Sequence, residues 1–263
     1  LNSPGLTTVI ENIPTRNHSE LLLKEFGAKI QIKKYKKKKI IKIIGQKELK
    51  AKNILIAGDP SAAAIVGSAA LITPNSVIKI KKVNINKTRI SFFKILKKMN
   101  ANIKISNRKK ISNEEIGDIT FKSSNLKGVH LGKEIVAEMI DEIPIFSILA
   151  TFAKGNSSFI GSNELKNKES DRIKSLYEGL IACKIKVRKK KDGLKITGIK
   201  KVDDLKYSKI KTYYDHRIAM AFLVMDLASK KRIIIDDLNC IKTSFPNFIP
   251  LMKRLGGIFS KKK

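Results

Sequence analysis

The sequence predicts an α/β fold assembled from repeated units of roughly four strands and two helices, and three observations predict it. An amphipathic helical pattern that ends in a break before an alternating strand occurs four times: residues 21–26 before Gly27-Ala28, 92–99 before Asn100-Ala101, 176–180 before Ile181-Ala182, and 249–255 before Gly256-Gly257. With Gly27, Asn100, Ile181 and Gly256 as markers, the steps are 73, 81 and 75 residues. A second, more apolar helical segment recurs between them, opened each time by an Asp: Asp59 before 62–71, Asp141 before 145–152 and Asp215 before 218–227, with steps of 82 and 74. Short segments rich in Ile and Val fill the gaps at 8–13, 40–44, 53–57, 77–83, 118–122, 158–160 and 233–235. A unit of about 75 residues is too long for a solenoid repeat and suits a duplicated α/β subdomain.

Each element has a local reason. Asp opens the apolar helices because its carboxylate accepts orphan N–H groups and suits the positive end of the helix dipole. Those helices lack a polar face, so they belong inside a shell of sheets, with their loops converging at one end. The helix after Arg172 shows the opposite pattern: Ile173, Leu176, Tyr177, Leu180 and Ile181 follow the spacing of one buried face. Beyond it, Asp192-Gly193 reads as a hairpin turn between 185–187 and 194–196.

With 263 residues, 42% of them apolar, the chain can bury a sizeable core. Cys183 and Cys240 lie far apart with no CxxC pair, so neither a disulfide framework nor a zinc site is indicated, and a reducing cytoplasm is the simplest home. No apolar stretch reaches the roughly 18 residues of a membrane span, and no charged-then-apolar leader is seen. The net charge of +32 comes from 47 Lys and only 8 Arg, spread over nearly every strand and loop. A specific nucleic-acid surface gathers its cations on one face and interleaves aromatic residues, so the Lys runs, the densest at Lys34 and Lys36–39, read as solvated strand faces and turns. The field still attracts anions.

Two helix starts carry the chemistry. Lys168-Glu169-Ser170-Asp171-Arg172 and Asp215-His216-Arg217 both place a cation in a first turn, where the dipole makes it unfavourable by roughly 0.3 to 1 kcal/mol unless an anion joins it. A helix start lined with Arg is a ready site for phosphate or carboxylate. The bland alternatives are that Asp141 is a helix cap like Asp59 and Asp215, that Glu169 merely favours the dipole, and that Asp215 and His216 support Arg217.

The stretch Gly161 to Arg172 closely resembles one signature of the EPSP synthases, within the enolpyruvyl transferase family, and residues 214–220 resemble the second. Ile140-Asp141-Glu142-Ile143-Pro144 is similar to the segment that carries the family's general base. Further likenesses are Thr15-Arg16-Asn17-His18-Ser19-Glu20 with Phe26-Gly27-Ala28, Gly58-Asp59-Pro60-Ser61, and Thr243-Ser244-Phe245-Pro246, all in family order across essentially the whole chain. Asn17 stands where an Asp is usual.

The resemblance implies a two-domain fold of six βαβαββ units, an inside-out α/β barrel, with residues 1–57 the end of a partial first domain and 58–263 a nearly complete second. The chain would then be an N-terminally truncated piece whose partner is the missing N-terminal portion. The implied reaction moves the enolpyruvyl group of phosphoenolpyruvate to the 5-hydroxyl of shikimate 3-phosphate. By the same resemblance Asp141 and Glu169 are catalytic, Asp141 taking the hydroxyl proton and Glu169 protonating the methylene carbon. Lys168 bridges the substrates, Arg172 and Arg217 hold phosphoenolpyruvate, and Arg16 with Asp141 contacts shikimate 3-phosphate. No metal, organic cofactor, specific nucleic acid or membrane is implied. The rival readings are a UDP-N-acetylglucosamine enolpyruvyl transferase and a basic nucleic-acid-binding protein.

Overall fold

The structure is a computed structural model that describes residues 1–12, 14–36, 38–201, 205–229 and 233–259. Strands β1 (Leu6–Glu11), β2 (Ile30–Tyr35) and β3 (Lys38–Ile44) form an antiparallel sheet in the order β1-β3-β2, and helix α1 (His18–Glu25) packs on β2. Ala28, Ile30 and Ile41, with Leu23 and Ile43 against them, make a small core separate from the main one. The strand expected at 8–13 lies at 6–11, and Ile13 and Lys37 fall outside the described residues.

Helix α2 (Pro60–Ile72) follows, then β4 (Val77–Asn84), α3 (Ser91–Lys98), β5 (Asn102–Ile111) and β6 (Glu114–Lys122), with sheet order β4-β6-β5. The next unit holds β7 (His130–Leu131), α4 (Lys133–Glu138), a 3-10 turn at Ile140–Glu142, α5 (Ile143–Phe152), β8 (Asn156–Phe159), a second 3-10 turn at Asn163–Asn167, α6 (Arg172–Ala182), β9 (Val187–Lys190) and β10 (Gly193–Thr197). Its sheet runs β7-β8-β10-β9. Last come β11 (Ser208–Ile210), α7 (His216–Leu227), β12 (Ile233–Ile235), α8 (Asn239–Lys242) and α9 (Phe248–Arg254), with β11 and β12 parallel.

The units share one plan. In the third, β7 pairs parallel with β8 and the sheet continues antiparallel through β10 and β9. In the second, Gly58 bridges parallel to Val83 of β4 and the sheet continues antiparallel through β6 and β5. The segment 53–57, expected as a strand, pairs with no strand among the described residues, the bridge falling just after it at Gly58, and Leu55 and Ile56 are exposed. In the last unit the described residues show the parallel pair β11-β12 alone. A cavity of about 1610 Å³ opens there, lined by Ile78, Ile210, Leu223, Ile235 and Phe259 among others, at the far ends of α2 and α7 from their Asp-led starts.

The repeat is written most exactly in four helix ends. In each, one N–H bonds back three residues and the next bonds back five: Gly27 to Lys24 with Ala28 to Leu23, Asn100 to Lys97 with Ala101 to Leu96, Lys184 to Ile181 with Ile185 to Leu180, and Gly256 to Lys253 with Gly257 to Met252. The first residue of each pair is left-handed, with φ from 63° to 98°. In the third unit the break therefore falls at Lys184, not Ile181, and the steps become 73, 84 and 72. Ile181 and Ala182 still make helical bonds; the terminator is a Lys in a conformation that costs a residue with a Cβ roughly 1 kcal/mol.

The three apolar helices α2, α5 and α7 pack on one another at the centre, and the sheets cover them. That is why none shows a polar face. α6 closes over α7 because Gly179 leaves room for the Phe222 ring, which a Cβ there would meet at 2.3 Å. Strands β2 and β5 are the alternating strands expected after the breaks at Gly27 and Asn100, β7 and β11 lie outside the expected segments, and the β9-β10 loop is Lys191-Asp192, since Gly193 already pairs with Lys190.

Candidate active site

The starts of α2, α5 and α7 come to the same end of the core as the loops before α1 and α6. Two of the three opening Asp residues cap their helices. Asp59 accepts from the Ser61 and Ala62 N–H groups at 3.1 and 3.0 Å, and Asp215 from Arg217 and Ile218 at 2.9 and 3.4 Å. Asp141 does not cap; it sits in the 3-10 turn, and Glu142 occupies the cap position of α5 without a side-chain cap bond.

The Asp141 carboxylate meets four cations instead. Arg16 Nη2 lies 2.8 Å from Oδ2, Arg172 Nη1 3.6 Å from Oδ1, Lys168 Nζ 3.9 Å from Oδ1, and Arg217 Nη2 3.9 Å from Oδ2. Arg217 Nη1 also donates to the Asp141 carbonyl at 3.2 Å. Burial pushes this carboxyl upward, but Arg217, the Arg16 hydrogen bond and Lys168 together outweigh it and hold the pKa below the ordinary 3.8.

Arg172, the first residue of α6, is 1% exposed. Its Nε donates to Asp215 Oδ2 at 2.8 Å and its Nη2 to Glu169 Oε2 at 2.5 Å. The anion that a first-turn cation needs is thus partly internal. One guanidinium nitrogen is left over: Nη1 is buried and has no hydrogen-bond partner among the described residues. Asp215 has two tasks, holding the Arg172 side chain and capping the helix that carries Arg217, and Ser170 Oγ also donates to it at 3.1 Å.

Of the six expected site residues, Arg16, Lys168, Arg172 and Arg217 therefore surround Asp141, and Glu169 joins them through Arg172. His216 stands 3.9 Å from Glu169; burial and Arg217 lower its pKa below 6.5, against Asp215 and Glu169, leaving a neutral imidazole at pH 7. Arg89 occupies the equivalent place in its repeat but matches no substrate contact, and Ser61 and Glu142 fall in family-like motifs without an expected role. Arg89 Nη2 donates to Ser61 Oγ at 2.9 Å, and Ser61 Oγ donates to Glu142 at 2.5 Å. A usable signal existed: Thr15-Arg16 and Thr88-Arg89 are 73 residues apart, the repeat step between Gly27 and Asn100. Asn17, at a position where the family usually has Asp, accepts from Asn86 Nδ2 at 2.7 Å and so ties the α1 start to the next unit. Among the described residues no group of three or more His, Cys, Asp or Glu could hold a metal ion, and no helix is long and apolar enough to cross a membrane.

A repeated α/β architecture that gathers cations from successive units onto one carboxylate is the enolpyruvyl transferase fold. The enolpyruvyl transferase NikO from Streptomyces tendae superposes with a TM-score of 0.73 over 97% of this chain and 56% of its own, at 14% identity, which speaks to the fold alone. The family model for EPSP synthase (3-phosphoshikimate 1-carboxyvinyltransferase) matches residues 1–252, and the chain belongs to that family. A 3-phosphoshikimate 1-carboxyvinyltransferase from Bartonella quintana is 43% identical over 261 residues, 99% of this chain and 59% of the relative. One from Parvibaculum lavamentivorans is 41% identical over 260 residues, 98% and 57% respectively. The EPSP synthase structure from Acinetobacter baumannii superposes with a TM-score of 0.91 at 34% identity, covering 99% of this chain and 59% of that one. The chain thus spans about three-fifths of the length of the relatives it matches.

Proposed function

We propose that this chain supplies the second-domain side of a site that transfers the enolpyruvyl group of phosphoenolpyruvate to the 5-hydroxyl of shikimate 3-phosphate, releasing phosphate. The observation that carries the reading is the convergence of Arg16, Lys168, Arg172 and Arg217 on Asp141, from the starts of two helices and from two loops. Two phosphates and a carboxylate must be held, and planar guanidinium groups suit that task by donating paired hydrogen bonds. Arg172 Nη1, which faces Asp141 at 3.6 Å and has no hydrogen-bond partner among the described residues, supports a role in gripping phosphoenolpyruvate.

In this reading Asp141 takes the hydroxyl proton as the oxygen bonds to C2 of phosphoenolpyruvate, and Glu169 delivers a proton to the methylene carbon. The tetrahedral adduct then expels phosphate while the same carbon returns a proton to Glu169. The depressed pKa makes Asp141 a weak base in the empty site. Seated phosphates and carboxylate would engage the cations, reduce their field at Asp141 and raise its basicity, so proton transfer is favoured only when both substrates are present.

Residues 1–57 belong, on this reading, to the first domain and 58–263 to the second; the separate small core of Ala28, Ile30 and Ile41 supports the division. The partner it requires is the portion of the relatives that this chain does not span, and the setting is the cytoplasm. The test is phosphate release from phosphoenolpyruvate. The 263-residue chain alone gives little or none, and supplying the remaining portion of the Bartonella quintana relative restores release that depends on shikimate 3-phosphate. Turnover with UDP-N-acetylglucosamine instead, or unchanged rates for both Asp141→Asn and Glu169→Gln, refutes the proposal; each variant is expected to lose about 10²- to 10⁴-fold.

A further inference from the structure

Asp141 lies in a three-residue turn, Ile140–Glu142, that no side chain caps. A turn so short has little rigidity of its own, yet its carboxylate is held within 4 Å of four cations. Those contacts alone do not fix it, because Arg16 and Lys168 are long, partly exposed side chains whose ordering costs entropy. Something on the protein side must hold the turn.

The next residue does. Glu142 reaches the start of α2, where it is buried and accepts from Ser61 Oγ at 2.5 Å. Ser61 Oγ accepts in turn from Arg89 Nη2 at 2.9 Å, and Arg89 also faces Asp59, the cap of α2, at 3.5 Å. Donors and acceptors run in one direction, Arg89 to Ser61 to Glu142, so each group is satisfied by the one before it. The crevice between Ser61, Asp141, Glu142 and Arg217 is too narrow to admit a water molecule, which leaves Ser61 without a solvent substitute there. Since α2 is buried along nearly its whole length, its start is a rigid anchor.

We propose that Arg89, Ser61 and Glu142 form a positioning relay that ties the turn carrying Asp141 to α2 and so keeps the Asp141 carboxylate on the cation cluster. They are positioning residues, acting through Asp141. The inference rests on the reading of Asp141 as proton acceptor for its functional meaning, and on geometry for its substance. Burial raises the Glu142 pKa against the opposing pull of Ser61, Arg89 and Arg217, so a neutral isostere is accommodated at this position.

The test needs no substrate. Carboxyl carbon NMR on the 263-residue chain, with the Asp141 signal assigned by its loss in Asp141→Asn, follows the titration of that one group. The charged groups facing it are Arg16, Lys168, Arg172 and Arg217; those facing Glu142 are Arg89, Arg217 and Asp141. In Glu142→Ala and in Ser61→Ala the Asp141 titration moves up toward the ordinary carboxylate value, whereas Glu142→Gln, which still accepts from Ser61, leaves it in place. An Asp141 titration that is depressed in the native chain and unmoved by both alanine variants overturns the relay, as does a Glu142→Gln shift as large as that of Glu142→Ala. Should Glu142→Ala fail to fold, Ser61→Ala, which removes one hydroxyl oxygen, decides the matter alone. An ordinary titration in the native chain would instead overturn the cation cluster, and absent turnover with an intact relay would overturn only the proposed reaction.

Discussion

Replacing Asp215 by Ala should destabilise the fold more than any other single change in the cluster. Asp215 is fully buried, pairs with the equally buried Arg172 at 2.8 Å, and caps α7 through two backbone N–H groups. Removing one partner of a buried ion pair costs about 3–5 kcal/mol when the other charge is stranded, and since Arg172 keeps Glu169 and Asp141 nearby the lower end applies. Loss of the cap adds about 1 kcal/mol. One carboxylate does both jobs, so the terms overlap, and a total of roughly 3–4 kcal/mol is expected against a typical domain stability of about 5–15 kcal/mol. Urea unfolding followed by circular dichroism measures it. The double variant Asp215→Ala with Arg172→Leu should recover roughly 0.5–3 kcal/mol relative to the sum of the single changes, since the stranded charge is gone. A loss below about 1 kcal/mol for Asp215→Ala, or strict additivity in the cycle, would refute the claim that the pair is dry and tightly coupled.

Three further outcomes are expected. Asp118 accepts from Asn107 and from the Lys82 N–H at irregularities on both sides of β6, and with Lys79 these hold its pKa at about 2. A depressed folded pKa gives stability that is present above the ordinary 3.8 and lost as pH falls toward about 2, so Asp118→Asn should flatten the acid limb of a stability-versus-pH curve in that window. Glu142 has the opposite sign: its pKa is raised from 4.5, so its contribution is intact below that value and lost as pH rises through the folded pKa, and Glu142→Gln should become the more stable form only above about pH 4.5. Finally, the +32 charge should retain the chain on heparin at low salt, with release as salt rises; binding that persists at moderate salt would favour a specific polyanion surface.

The helices were legible because their periodicities are strong: α2, α5 and α7 read as apolar on every side, and the structure packs them against each other. Strands were harder. β7 and β11 span only two and three residues, too few to show an alternation. The segment 53–57 shows the converse error, since apolar residues make a strand only when a neighbouring strand is there to pair with them. Lys184 hid a helix end because a left-handed Lys leaves no trace in the sequence, whereas Gly27, Asn100 and Gly256 announce theirs.

The site divides along the same line. An Asp before an apolar helix is ordinarily a cap, and Asp59 and Asp215 are caps. Spacing alone could not separate Asp141 from them. What separates it is one residue of register: the 3-10 turn moves Glu142 into the cap position and turns Asp141 outward to the arginines. The same turn buries Glu142 beside Ser61 and Arg89, groups whose relation spans 81 and 53 residues of sequence and exists only once α2 and α5 have packed. Local pattern names the cations; only long-range packing decides which carboxylate they surround, and that is why Arg89, a repeat-equivalent of Arg16, acquired a role in the folded chain that its motif did not reveal.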